Sequence, residues 1–297
     1  MPEAIPIIAN PAARSAAARL QFARLERLEP SPEIHVTRRP GDATELAASL
    51  VEQGHPLVVA AGGDGTVNEV LQGLCRANAG RPEGAAGASL GVLPLGTMNV
   101  FSHELGQPGR DLDGCWRQIV KGPRRVMDLW MANDLYFVQL AGVGVDAEII
   151  RRTTWEQKRR LGPLSYVLSA LKVAARRAPV LEAVAPGRAP SHGTLVLLGN
   201  GKHYGGPFPL FDRADPADGL LDVMVFHQVG PWELAQLIRR VITNGELPGE
   251  DLECFQAAEL KVSVARGKQA PCELDGELQG ETPVHFRHAG RMLEVAG

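Results

Sequence analysis

Residues 62 to 69 read Gly62-Gly63-Asp64-Gly65-Thr66-Val67-Asn68-Glu69, and these types in this order suit the handling of an anion. Glycine lets backbone approach a ligand closely, and the N–H groups that open a following helix favour negative charge. The natural anion for such a turn is a nucleotide phosphate. This is neither GxxxxGK[ST] nor GxGxxG, because no lysine follows and the glycine spacing differs. Instead Asp64 sets a carboxylate amid the turn, and it would repel a polyphosphate unless a divalent cation, a ribose or another donor lay between them. A second turn, Pro94-Leu95-Gly96-Thr97-Met98-Asn99, offers the same chemistry, with glycine for access and the Thr97 hydroxyl as a donor. Further on, Asp215, Asp218 and Asp222 place three carboxylates within eight positions, hard oxygen ligands suited to Mg²⁺. An acidic surface turn without metal fits the same residues.

Apolar patterning gives the elements that must position these groups. Leu57 to Ala61 is a continuous apolar run of the kind buried in a parallel sheet, and Val67, Val70, Leu71 and Leu74 follow at helical spacing. Ile5 to Ala9 predicts a first strand ended by Asn10-Pro11, after which Ser15 caps a helix with Ala17, Leu20, Leu25 and Leu28 as its stripe. Ile34 to Thr37 predicts a second strand, and Asp42 with Glu45 a capping box before Leu46, Ala47, Leu50 and Val51. Residues 78 to 89 read as a surface loop, Leu90 to Pro94 as a fourth strand, and Asp113 to Lys121 as the last helix of this half. Such alternation predicts a parallel sheet with helices on both faces. Ligands of these sheets bind at the carboxyl ends of the strands, where Thr37 and Asp64 both fall.

From Arg124 onward strands follow strands: Leu129 to Ala132, Leu135 to Ala141 after an Asn133-Asp134 turn, Thr194 to Leu198, Leu220 to Phe226, Glu259 to Ala265, Val284 to Arg287 and Met292 to Val295. That is an antiparallel β-sandwich domain, with the boundary near residue 128. No Gly-, Ser- or Pro-rich linker intervenes, so the halves are expected to pack closely with a cleft between them. Residues 151 to 177 hold Arg151, Arg152, Lys158, Arg159, Arg160, Lys172, Arg176 and Arg177 against one acidic residue, Glu156, with Trp155, Tyr166 and several leucines interleaved. Interleaved cations and large apolar groups suit an anionic bilayer surface, where each nearby basic residue contributes on the order of 1 kcal/mol. A solvated helix pair covering the sandwich is the bland alternative.

The nucleotide loop with Asn68-Glu69, the Pro94-to-Asn99 turn, the Asp215-to-Val223 turn and Asp275-Gly276-Glu277 together resemble the diacylglycerol kinase catalytic-domain family, which includes bacterial lipid kinases and the sphingosine kinases. Gly-Gly-Asp-Gly-Thr alone is shared with NAD kinases and, with variation, phosphofructokinases. The resemblance covers nearly the whole chain. It implies a phosphofructokinase- or NAD kinase-like nucleotide-binding domain over 1–128, a β-rich lipid-substrate domain over 129–287, and a C-terminal segment of about 288–297 packing on the first domain. It further implies ATP held by Asn10, Thr37, Gly62, Gly63, Asp64, Gly65, Thr66, Val67, Asn68, Glu69, Gly96 and Thr97, with Asp64 orienting Mg²⁺. A structural Mg²⁺ would take Asp215, Asp218 and the Leu220 carbonyl, Asp222 being the next candidate. Glu277 would be the general base, with Asp275 the fallback, and Asp146, in Gly142-Val143-Gly144-Val145-Asp146, would face the active cleft as would the loop from Gly199 to Pro207. The reaction implied is transfer of the ATP γ-phosphate to the hydroxyl of a membrane lipid such as diacylglycerol or a sphingoid base. Two departures stand out: Ala12-Ala13-Arg14 replaces a usual glycine, and Val100 replaces a usual Asp. They keep open a nucleotide- or lipid-binding regulator without turnover, beside a soluble-substrate kinase of the NAD kinase kind.

Bulk composition bounds these readings. A chain of 297 residues with 44% hydrophobic content suits two domains with buried cores. There is no uninterrupted apolar stretch long enough to cross a bilayer and no charged-then-apolar leader, so a cytoplasmic protein with peripheral membrane association is expected. Cys75, Cys115, Cys254 and Cys272 lie far apart, which predicts free thiols rather than a zinc site. A net charge of −3 argues against a nucleic-acid partner. No obligate protein partner is indicated, and a homodimer stays open.

Overall fold

The computed structural model describes residues 4–11, 22–81, 87–107, 109, 111–152, 178–230, 232–233, 236–237, 239 and 251–297. The chain forms two compact units, residues 1–127 with 291–297, and residues 128–290. The helix expected after Ser15 lies largely outside the described residues, as do Ala12-Ala13-Arg14 and residues 153–177; Leu25 and Leu28 of the expected stripe are fully buried.

The first unit is the expected parallel sheet with helices. Its strands are β1 (Pro6–Ala9), β2 (Glu33–Val36), β3 (Leu57–Gly62) and β4 (Ser89–Pro94), in the order β2-β1-β3-β4 and all parallel. β3 and β4 are buried at every residue, as continuous apolar runs covered on both faces must be. On one face Ile7, Ala9, Val59, Ala61 and Leu93 pack with Leu112, Cys115, Trp116 and Ile119 of helix α4 (Leu112–Lys121). Residues of opposite parity, Ile8, Val58 and Ala60, face helices α1 (Asp42–Glu52) and α2 (Asp64–Ala79). A short helix, α3 (Val100–Glu104), follows β4.

Two local expectations change. α1 has no capping box: Gly41 stands at the N-cap in the left-handed region, and Asp42 is the first helical residue. The Asp42 carboxylate instead accepts the Arg38 and Arg39 N–H groups, which holds its pKa below the usual range, while Glu45 pairs with Arg39. α2 runs on to Ala79, so residues 78 and 79 of the expected loop are helical; the Asn78 side chain bonds Ala88 at both N–H and carbonyl, and residues 82–86 lie outside the described residues.

The second unit is the antiparallel β domain. One sheet runs β14 (Leu252–Ala257), β13 (Leu221–Phe226), β10 (Leu195–Gly199), β7 (Leu140–Gly144), β16 (Pro271–Leu274), β17 (Glu277–Glu281). The other contains β9 (Ser191–Gly193), β8 (Val180–Val184), β15 (Glu259–Arg266) and the first residues of β18 (Val284–Ala296). Ala141, Val143, Val196, Leu198, Val223 and Leu274 of the first sheet share a core with Leu181, Leu260, Val262 and Phe286 of the second, which makes a sandwich. Leu195 and Leu197, of opposite parity on β10, pack with Val145 and Ile149 of helix α5 (Val145–Arg152) and with Leu210 and Phe211. β10 is thus buried on both faces, which is why it reads as an unbroken apolar run. The two terminal strands expected at 284–287 and 292–295 are one, β18, whose last residues Val295 and Ala296 pair in parallel with β4 of the first unit's sheet.

Gly73 marks where α1 and α2 come closest, since a Cβ built there would collide with the Thr44 carbonyl and reach the Ala47 Cβ at 3.0 Å. Gly73→Ala gains about 1 kcal/mol of helix propensity. Against a backbone carbonyl it also overpacks, at a typical cost of about 1–3 kcal/mol. A fall in the thermal midpoint, read by circular dichroism, is therefore expected despite the better helix former.

Candidate active site

Asn10, Thr37, Gly62 and Leu95 each follow or end one of four neighbouring parallel strands at its carboxyl end. The turns there are tied by backbone bonds: Asn10 N–H to the Ala61 carbonyl at 3.2 Å, Thr37 N–H to Ala9 at 3.0 Å, and Leu95 N–H to Gly62 at 2.9 Å. Gly62 has no room for a side chain, because a Cβ would lie 2.5 Å from the Thr66 Cβ. The Asn10 amide reaches the Thr66 hydroxyl at 3.3 Å, so the first strand's turn is fastened to the glycine loop.

The two glycine turns read from the sequence meet. A Cβ on Gly96 would strike the Gly63 Cα and come within 2.7 Å of the Asn99 Oδ1, so the loops pass backbone against backbone. Asn99, in the left-handed region at φ 49°, accepts from the Gly96 N–H at 2.9 Å and donates back to its carbonyl at 3.1 Å. Asp64, the first residue of α2, accepts from the Val100 N–H, the first residue of α3, at 2.8 Å. One carboxylate therefore links the starts of two helices, both of whose positive ends favour a bound anion. Asn68 is 3% exposed and its Nδ2 has no hydrogen-bond acceptor, an orphaned donor of the sort a ligand oxygen satisfies. Glycine backbones, helix starts and this donor fit a nucleotide polyphosphate.

Two of the residues expected at the nucleotide also make bonds within the fold. Glu69 accepts from the Gly41 and Ala43 N–H groups at 3.1 and 3.3 Å and so caps α1, while its carbonyl accepts the Thr44 hydroxyl. Val67 is buried, and its N–H, like that of Thr66, bonds to the Gly63 carbonyl within the helix. Gly65, the second residue of α2, is of intermediate exposure, and Thr97, in the second turn, is exposed.

In the second unit the acidic turn is held from behind. The buried Asp128 accepts the Gly219 N–H at 2.7 Å and contacts His288 Nε2 at 3.2 Å, and its own N–H donates to the Pro216 carbonyl. Asn200, wholly buried, joins this group by donating to the carbonyls of Asp128 and Val138 and accepting from the Trp130 indole. Asp215 accepts from the Ala217 N–H and Asp218 from the Leu220 N–H. Burial raises the Asp222 pKa, opposed by the Gln256 amide and reinforced by the Asp218 charge. Among the described residues no three His, Cys, Asp or Glu side chains converge on a metal position. Asp215, Asp218 and the Leu220 carbonyl supply hard oxygens, and each carboxylate retains lone pairs beyond those its N–H donors use, so the donor chemistry fits Mg²⁺.

Asp275 and Glu277 flank the β16–β17 turn. The Asp275 carboxylate accepts three N–H groups, from Val138 at 3.1 Å, Gln139 at 2.9 Å and Leu140 at 3.0 Å. Glu277 is exposed. Asp146, the second residue of α5, is buried, with the Tyr204 hydroxyl donating to it at 2.6 Å. Beside it lies Glu273, wholly buried, which sequence reasoning missed. The signal was there: a charged residue between Cys272 and Leu274 on a strand buried at every position.

A parallel α/β sheet with two joined glycine loops, followed by an antiparallel β-sandwich, defines a kinase with an alcohol as acceptor. Residues 5–132 match the diacylglycerol kinase catalytic domain, and residues 139–297 match the YegS C-terminal NAD kinase beta sandwich-like domain. The chain belongs to the diacylglycerol kinase catalytic-domain family. It is 29% identical to a diacylglycerol kinase of Bacillus subtilis (strain 168) across 88% of this chain and 84% of that one. It is 34% identical to a protein of Chromohalobacter salexigens named "Probable lipid kinase YegS-like" across 82% and 76%. A solved structure of a diacylglycerol kinase from Bacillus anthracis str. Sterne has the same fold, with a TM-score of 0.70 at 21% identity over 99% of this chain and 96% of that one. As a kinase of this family the protein uses ATP. Among the described residues no helix is long and apolar enough to cross a membrane.

Gly96→Ala forces the two loops apart, and the expected result is loss of nucleotide-induced thermal stabilisation with the sandwich unit intact. Differential scanning calorimetry with and without ATP reads both.

Proposed function

We propose that the protein transfers the γ-phosphate of ATP to the hydroxyl of a membrane lipid of the diacylglycerol or sphingoid-base class. The observation that carries this is the junction of the two glycine loops through Asp64 and Val100 at the carboxyl edge of the parallel sheet. Phosphoryl transfer is mostly positioning and charge neutralisation, and joined loops of this kind supply both. The Gly62-to-Thr66 and Leu95-to-Asn99 turns hold the polyphosphate, with Asn10, Thr37 and Asn68 as polar contacts. Mg²⁺ would neutralise charge when bound; the Asp64 carboxylate would help to hold that ion, and Asp215, Asp218 and the Leu220 carbonyl would hold a second, structural one. Glu277 accepts the proton of the attacking hydroxyl. Segment 151–177 meets the membrane surface through its cations and aromatic residues. The names of the relatives and the sequence's own basic segment support the lipid acceptor.

The test is incubation with labelled ATP and a total membrane-lipid extract, followed by identification of the labelled product. Asp64→Asn keeps an oxygen for the Val100 N–H and removes only the charge. It should lower turnover by about 100-fold or more with the thermal midpoint unchanged, the scale of losing one electrostatic stabiliser of phosphoryl transfer. Retained turnover in this variant would remove the metal role, and a wild type that labels no lipid would remove the reading.

A further inference from the structure

Two buried carboxyl groups of the second unit have no part in the phosphoryl transfer proposed above. Asp146 is 8% exposed and Glu273 0% exposed. They face each other across Gly142, the cross-strand partner of Glu273, where a built Cβ would come 2.6 Å from Asp146 Oδ2 and 2.8 Å from Glu273 Oε1. Only glycine leaves that notch open. Each carboxyl has one oxygen already satisfied: Asp146 Oδ1 by the Tyr204 hydroxyl at 2.6 Å, Glu273 Oε2 by the Gly276 N–H at 2.8 Å. Glu273 Oε1 is buried with no N–H or O–H donor. Two ionised carboxylates so placed would repel in a poorly solvated site, whereas a proton on either supplies the missing bond.

We propose that Asp146 and Glu273 hold one proton between them and, with Tyr204, act as a positioning unit for the turn that presents Glu277. Glu273 grips that turn through the N–H of Gly276, the residue before Glu277, while Asp146 fixes Glu273 from α5. The same helix holds the far end of the hairpin, because Arg151 donates to Glu281 on β17 at 3.1 Å and also pairs with Glu148. α5 thus secures both strands that flank the turn. Burial raises both carboxyl pKa values; for Glu273 the Asp146 charge adds to it, and the Gly276 N–H opposes. The other polar groups acting on the pair are Tyr204, which lowers the Asp146 value, and the charge of Asp275, which raises that of Glu273.

The sign of the pH dependence follows. A carboxyl whose folded pKa lies above its unfolded one stabilises fully below the ordinary carboxylate range, and that contribution is lost as pH rises through the folded value. Glu273→Gln mimics the protonated form, keeping an oxygen for Gly276 and donating to Asp146. Thermal midpoints of wild type and this variant, measured from about pH 4 to about pH 9, should converge at the acid end and diverge upward, the wild type falling. Parallel profiles would overturn the shared proton. The positioning role rests on the reading of Glu277 as base and has its own arm. Glu273→Ala should lower kcat by about 10- to 100-fold with KM for ATP unchanged, as a misplaced group does. Glu273→Gln should restore kcat and remove the wild type's alkaline decline. Equal kcat in all three proteins would overturn positioning. A wild type without turnover would instead overturn the kinase reading and the positioning role with it, leaving the midpoints to decide the proton.

Discussion

The nucleotide unit depends on a close approach between two backbones. Gly63 and Gly96 touch because neither has a side chain, and Asp64 bonds the start of α2 to the start of α3 only because they touch. Parallel pairing of β3 with β4 brings Gly62 opposite Pro94, so the turns that leave these strands emerge side by side. The Asn99 side chain then closes the second turn upon itself. A ligand at this edge meets backbone N–H groups and helix ends whose positions are already fixed. Such groups need little reorganisation when charge moves, the condition under which electrostatic stabilisation is effective.

The sandwich unit is organised by the opposite problem, polar groups deep inside an apolar core. Asn200 satisfies three partners at once, Asp128 satisfies Gly219, and Asp275 gathers three consecutive N–H groups. Leaving any of these groups unpaired would cost about 1–3 kcal/mol or more, so each network fixes the loop it reaches. The acidic turn is set by the first two and the β6–β7 corner, after strand β6 (Leu135–Phe137), by the third. The buried carboxyl pair extends this logic to the hairpin turn that precedes Glu277.

How far the sequence was legible depends on whether a residue's partner is near it in the chain. The parallel order of the first half, the switch to antiparallel strands and the two glycine loops were all readable, since apolar runs and glycine turns are local signals. The nucleotide contacts were only partly so. Glu69 reads as a ligand because it follows Asn68 in a loop suited to anions, and only the fold shows its bonds to the Gly41 and Ala43 N–H groups at the start of another helix. Asp42 looked like half of a capping box and instead turns back to Arg38 and Arg39. Asp275 was a reasonable base by type, yet three amides from residues 138 to 140 occupy it.

Chain order alone determined that this is an α/β sheet followed by a β-sandwich with phosphate-handling turns, because strand and helix periodicity is written in neighbouring residues. Tertiary structure decided which carboxylates remain available for chemistry. Whether Asp64, Glu69, Asp146, Glu273 or Asp275 binds, caps or shares a proton depends on which N–H groups and which other acids lie within about 3 Å, and those come from distant segments. A carboxylate's role is set by its surroundings, and in a folded chain the surroundings are mostly not its sequence neighbours.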